Sequence, residues 1–387
     1  MRLYNILMSK EKTKNLMDPF AFMRAIAAVN VFLIHAGVFS SMYGFSIESS
    51  TWFLKIPGHG SVWIFFFLSG FFNLSGFLGD SPRYELTLSN IKDFYIKRFI
   101  KVLLPVWVFC FFALIFSEPD FVRLYPFAII RLLTFTFTGN PGCTSIAATW
   151  YVSTLAQLYL ITPLLAYLLR FFTKKKGILI PLLTLSVISA AGLCLRLILL
   201  NTGIDWTQGV FVPFYCNLDL YIAGALCCIL CKRLVPFISG IIPYFLSIIV
   251  FIILLIIHCR IYYLSISTEI FETIYRYIMP SVYIIVLTVI CALIDFAGFT
   301  YSPASLKALP GNPLRLIDMF SSISFEFYLV HSMVLFHIAP YIKAGTPLSY
   351  HFSLIAAGFI VSVIIAFLFK KIISSLLLTP LSRLIHR

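Results

Sequence analysis

The sequence predicts an all-α integral membrane protein, a bundle of about ten transmembrane helices with both termini in the cytoplasm. Three observations predict it. Hydrophobic residues fill 60% of the 387 positions and charged residues only 11%, where soluble domains carry roughly 25% charged. The apolar residues come in runs close to the roughly 20 that cross a bilayer as a helix. The basic residues gather in alternate loops: the N-terminal tail (Arg2, Lys10, Lys12, Lys14), the stretch from Arg83 to Lys101, Lys174 to Lys176, Lys232 with Arg233, and the end from Lys370 onward. The positive-inside rule assigns those loops, and both ends, to the cytoplasm. The formal charge of +14 is therefore a topological signal, and nucleic acid is not an expected partner. No polar stretch is long enough to fold as a separate soluble domain. The expected organisation is a cytoplasmic tail at 1–18, one transmembrane domain at 19–378 and a short cytoplasmic tail at 379–387, with no cleavable signal peptide.

The first apolar segment, near residues 20–41, holds Arg24 and His35. Eleven residues at 1.5 Å rise separate them by about 16 Å and return within about 20° of the starting face. An ionisable pair in hydrocarbon is costly, about 2.5–3.5 kcal/mol for a central Arg, so it marks a functional site by default. A neutral imidazole toward the outer side can take a proton from an attacking hydroxyl. The second segment, 60–78, is rich in Phe and carries Ser69 and Gly70, small enough for close helix packing. Arg98 and Lys101 open the third, 99–117, three residues apart on one helical face. With Arg24 they make three cations at the cytoplasmic depth, a site for phosphate or carboxylate. Tyr125 to Phe137 is apolar but too short to cross, and carries Arg131; it reads as re-entrant or interfacial. The fourth segment, 147–171, opens on Trp150 at the outer boundary, where an indole anchors the interface or stacks on a sugar.

The fifth segment, 178–200, contains Arg196 toward its outer end, and the sixth, 211–231, contains Asp219. Asp219 either lines an acceptor entrance, hydrates, or pairs with Arg196. The seventh and eighth, 237–258 and 277–296, are largely apolar. The ninth, 319–341, carries Glu326, Tyr328 and His331. An intramembrane Glu invites a role in catalysis or proton movement, or pairs with a buried base. Tyr328 and His331 share a face, and bonding across helices is the favoured reading for them. The tenth segment is 352–377. Most of the nine cysteines lie in or beside these segments as small apolar residues. Cys143, Cys216 and Cys259 fall near the outer side, where one disulfide is allowed. No Cys/His spacing suggests zinc, and no metal is expected.

Five pieces of this pattern carry a family likeness. They are Arg24 with His35 after ten residues; the run Ser61 to Phe71 ending Ser69-Gly70-Phe71; and Arg98 and Lys101 ahead of Pro105 and Trp107. Then come Trp150-Tyr151-Val152-Ser153 followed by Gln157, Tyr159 and Pro163, and finally Ser324 with Tyr328-Leu329-Val330-His331. In order and spacing they resemble the acyltransferase-3 family of bacterial membrane O-acyltransferases. The resemblance implies an acyl-CoA donor, usually acetyl-CoA, entering from the cytoplasm. It implies an acceptor hydroxyl on a cell-envelope glycan or its lipid-linked precursor, reached from the outer side of a bacterial cytoplasmic membrane. Arg24, Arg98 and Lys101 would hold the donor's phosphates. His35 inherits the catalytic role, as general base or transient acyl carrier, and Glu326 is a second catalytic candidate. Trp150, Asp219 and Tyr328 are the candidate acceptor contacts, and a homo-oligomer is compatible with the chain.

Three departures bear on the assignment, one being Glu326, which stands where relatives often have a small or polar residue. Lys101 stands where relatives often have Arg, which gives a point charge without the bidentate fork. Leu155 and Ala156 stand where many relatives have acidic residues, which moves the sequence toward the surface and capsular polysaccharide branch. The alternative is a polytopic transporter or exporter of a glycan or small polar solute, with Arg24, His35 and Glu326 lining its route. The two halves of the sequence show no similarity to each other, which counts against transport.

Overall fold

The computed structural model describes residues 17–42, 58–78, 82–138, 145–173, 177–236, 238–298, 315–342 and 346–375, and every regular element among them is helical. The principal helices are α1 (Pro19–Met42), α2 (His59–Phe72), α3 (Leu88–Ser117), α4 (Pro126–Leu133), α5 (Trp150–Thr173) and α6 (Leu179–Leu200). They continue with α7 (Leu218–Cys231), α8 (Ile241–Ser265), α9 (Glu269–Phe296), α10 (Arg315–Ser322), α11 (Ser324–Ile338) and α12 (Leu348–Ile373). Among the described residues, 8 helices are long and apolar enough to cross a membrane, or 9 if the bent pair formed by α10 and α11 counts as one span.

Each apolar segment expected from the sequence falls on a helix, α2 being prolonged by a 3₁₀ turn to Phe77, but two others are not single long helices. α7 has 14 residues, a rise of about 21 Å, short of the roughly 30 Å of hydrocarbon. The Asn217 side chain holds the turn before it, donating to the carbonyls of Phe211 (2.8 Å) and Pro213 (2.9 Å). The ninth segment breaks at Ile323, within Ser321-Ser322-Ile323-Ser324, where hydroxyls compete with the helix for backbone partners. Lys370 Nζ donates to the Ser322 carbonyl at this break. α3 starts about one segment's tail earlier than expected, since Leu88–Arg98 is itself helical with only Phe94 buried.

Tertiary packing divides the chain into two compact units. One takes the chain up to Ala27, His59–Ile91 and Ile161–Ser321; the other takes Ala28–Gly58, Lys92–Leu160 and the chain from Ser322. In the first, α7 packs against α2, α6 and α9. Nearly all its residues are buried, which explains a helix apolar on every side. Its contact with α2 depends on two glycines. A Cβ at Gly70 would meet the Tyr221 carbonyl, and one at Gly224 would meet the backbone of Phe67 and Phe71. The expected small-residue packing is therefore seen at Gly70, with Gly224 as its counterpart.

Buried among the same helices, Arg196 and Asp219 form a fork. Nη1 lies 3.1 Å from Asp219 Oδ1 and Nη2 lies 2.8 Å from Oδ2. The remaining donors go to the carbonyls of Cys216 (3.0 Å) and Tyr277 (3.2 Å) and to Ser281 Oγ (2.8 Å). All five guanidinium N–H groups are thereby used. Of the cysteines expected near the outer side, Cys216 and Cys259 are free thiols. Cys143 lies outside the described residues.

In the second unit α11 packs against α12 and against the Leu104–Ser117 part of α3. Phe32, Phe327 and Phe359 fill the space between rings 5.3–5.9 Å apart. The short apolar stretch expected to be re-entrant or interfacial forms α4, only eight residues long. Two residues past its end, Phe135 has φ 54°, a backbone state disfavoured for a bulky residue. Two residues hold it there. Gln157 Nε2 donates to the Phe135 carbonyl (2.8 Å), and the Trp107 indole stacks on the Phe135 ring (5.3 Å) while donating to Leu132 (3.3 Å). Outward faces are apolar in both units, for example Leu182, Leu183 and Val187 on α6 and Phe111, Phe112 and Phe116 on α3. In water such surfaces drive association; lipid solvates them.

Candidate active site

The second unit brings two imidazoles into contact. His35, in the C-terminal half of α1, lies with Nδ1 2.9 Å from Nε2 of His331 on α11. His331 is fully buried, while His35 is only partly so. The other ring nitrogen of His331, Nδ1, lies 3.2 Å from the Phe327 carbonyl one turn back. The Phe327 ring stacks on the His331 ring at 6.0 Å, and the Phe32 ring lies 6.4 Å away. Among the described residues no carboxylate bonds either imidazole. A partly exposed imidazole backed by a buried, hydrogen-bonded one suits proton transfer.

Two side chains fix the rotation of α11 about its axis. Tyr328 Oη donates to the Ala148 carbonyl (2.7 Å), and Ser332 Oγ donates to the Ser145 carbonyl (2.8 Å). They are four residues apart on one face, with His331 beside them. The receiving segment is itself tethered. Glu118 Oε2 accepts from the Ser145 amide (3.3 Å) and from its hydroxyl, and Thr149 Oγ1 donates to Ile146 (2.7 Å). The candidate acceptor contact Tyr328 thus has its hydroxyl on backbone, and its ring packs on His331 at 5.7 Å. Trp150 stands half-buried as the first residue of α5, against Tyr151. Asp219 belongs to the first unit, its carboxylate held by Arg196 at 4% exposure.

The three candidate donor-binding cations have different surroundings. Arg24 is on α1 with His35, and its Nε is buried without a hydrogen-bond partner among the described residues. Asp18 and Asp318 both act on it electrostatically. Burial raises the Asp18 carboxyl above its usual range against the opposing pull of the Phe20 amide and Arg24. Asp18 also caps α1, its Oδ1 accepting from Phe20 N at 2.9 Å, with Pro19 as the first helical residue. Arg98 likewise keeps a buried, unpartnered Nε, and its guanidinium lies 5.5 Å from the Phe94 ring and 5.8 Å from the Tyr159 ring. Cation–π contacts hold a guanidinium without using its N–H groups.

Lys101 is exposed. The regular helix expected for Arg98 and Lys101 is interrupted by a π turn at Phe99–Leu103, so the two do not keep the facing of an ordinary i,i+3 pair. Such turns recur at functional sites, and no sequence pattern marks this one. Glu326 has a buried, unpartnered Oε2 and feels the charge of Lys370. Five residues before His331, it lies about 140° around α11 from it.

His331, which the sequence reading gives only a bond across helices, joins the site; a second intramembrane imidazole is the signal that points to it. A family model for the acyltransferase-3 acyltransferase domain matches residues 20–369, from the start of α1 into α12. No curated protein and no solved structure matches the chain. With a multi-pass helical membrane fold and a match over nearly its whole length, the chain belongs to the acyltransferase-3 family of membrane acyltransferases.

Proposed function

We propose that the protein moves an acyl group, acetyl in the simplest case, from cytoplasmic acyl-CoA to a hydroxyl of a cell-envelope glycan or its lipid-linked precursor in a bacterial cytoplasmic membrane. The observation that carries this reading is the half-buried His35 backed by the buried His331 at 2.9 Å in a chain of this family. Acyl transfer from a thioester forms one C–O bond and breaks one C–S bond. The hydroxyl proton must leave as the oxygen attacks, and a proton must return to the departing thiolate. An imidazole with one free nitrogen does both. Arg98 and Arg24, each with an unpartnered buried Nε, would hold donor phosphates, with Lys101 as an exposed point charge. Trp150 and Tyr328 remain the acceptor-side candidates. Glu326 remains the second catalytic candidate, and the cytoplasmic placement of both termini belongs to the same reading.

Transport is less favoured, since the family match points to acyl transfer. Proteoliposomes loaded with acetyl-CoA labelled in the acetyl group, with envelope glycan supplied outside, separate the two. This account predicts label in ester linkage to the external glycan. Label or glycan crossing the bilayer with no ester formed would support the transporter instead.

A further inference from the structure

We propose that His331 is the positioning residue that fixes His35 in one tautomer, with the proton on Nδ1, and so makes His35 Nε2 the reacting atom. This inference rests on the acyltransferase reading for its kinetic consequence, but not for its geometry. A backbone carbonyl can only accept a hydrogen bond. The Phe327 carbonyl, 3.2 Å from His331 Nδ1, therefore places the proton of a neutral His331 on Nδ1 and leaves Nε2 with a lone pair. That lone pair faces His35 Nδ1 at 2.9 Å, so His35 donates from Nδ1; the Val31 carbonyl, one turn back in α1, is a further acceptor beside this ring. The lone pair of His35 then sits on Nε2, the nitrogen not engaged by His331.

The same job is done in many hydrolases by a buried carboxylate. Among the described residues neither ring has one. In hydrocarbon a buried carboxylate is costly unless fully paired, whereas a neutral imidazole backed by a helix carbonyl orients its partner without adding charge. The reaction then balances on one atom. As the acceptor oxygen bonds to the acyl carbon, its proton goes to His35 Nε2; as the C–S bond breaks, that proton goes to the CoA thiolate. Because Nε2 regains its lone pair at the end, His35 serves as base and then acid, and no acyl group rests on it.

The test compares the parent with His331→Gln and His331→Phe, reconstituted in nanodiscs. It reads the ¹⁵N signals of the His35 ring together with kcat and KM for acetyl-CoA. Gln places an acceptor oxygen near the position of Nε2, whereas Phe keeps bulk but offers none. The parent and His331→Gln are expected to show one His35 tautomer, protonated at Nδ1. His331→Phe is expected to show mixed tautomers and a fall in kcat of about 10–100-fold, the usual scale for losing an orienting partner, with KM little changed. A parent ring protonated at Nε2 would overturn the proposal. So would a folded His331→Phe that keeps one tautomer or full kcat, or a folded His331→Gln as impaired as His331→Phe. If the parent turns over no acyl-CoA while its His35 is fixed at Nδ1–H, the functional reading fails and the tautomer assignment stands.

Discussion

Arg196 shows how a charged residue is tolerated in this fold, with every N–H satisfied by Asp219, Ser281 and two carbonyls. Breaking a buried pair by removing one partner costs about 3–5 kcal/mol, because the other charge stays buried and unpaired. Arg196→Leu is thus expected to lower Tm sharply, and Arg196→Leu with Asp219→Leu to recover much of the loss. A double variant no more stable than the single one would contradict this account. Arg24 and Arg98 present the opposite case, each keeping an unused buried donor. Arg98→Ala is expected to raise KM for acyl-CoA several-fold with Tm nearly unchanged, read in the same nanodisc assay. Single residues were the most legible level of the sequence, since any ionisable group in an apolar run announces itself. Their partners were not legible. The likeness of Arg196 and Asp219 to a pair was visible, but the contact between His35 and His331 joins positions 296 apart in the chain and depends on how each helix is rotated.

At the scale of elements, α11 is the part on which the site depends most. Its rotation is fixed by Tyr328 and Ser332, each holding one backbone carbonyl. Ser332→Ala should lose about 0.5–1.5 kcal/mol and reduce kcat without raising KM for the donor. An unchanged kcat would show that Ser332 does not position His331. The α2–α7 crossing is less forgiving, because a side chain at Gly224 would meet backbone rather than a flexible side chain. Gly224→Leu is expected to prevent recovery of folded protein, whereas Ser69→Ala should not. The apolar segments announced the helices by length and composition. They did not announce the break at Ile323 or the π turn at Phe99–Leu103. Both are backbone features, the first bonded by Lys370, and neither changes the hydrophobic pattern along the chain.

At the scale of the whole molecule, the charge distribution makes the clearest commitment. Both tails are expected in the cytoplasm, where Lys and Arg concentrate. Single cysteines introduced as Ser9→Cys and Ser382→Cys should react with a membrane-impermeant maleimide, above the parent's background, only after the membrane is opened. Labelling of either in intact cells would reverse that end. The central claim concerns chemistry, and the most direct measurement is release of free CoA from acetyl-CoA by purified protein in nanodiscs supplied with envelope glycan, comparing the parent with His35→Ala. The account predicts turnover by the parent and its loss in a His35→Ala protein that remains folded. Equal turnover by both, or none by the parent with glycan present, would contradict it.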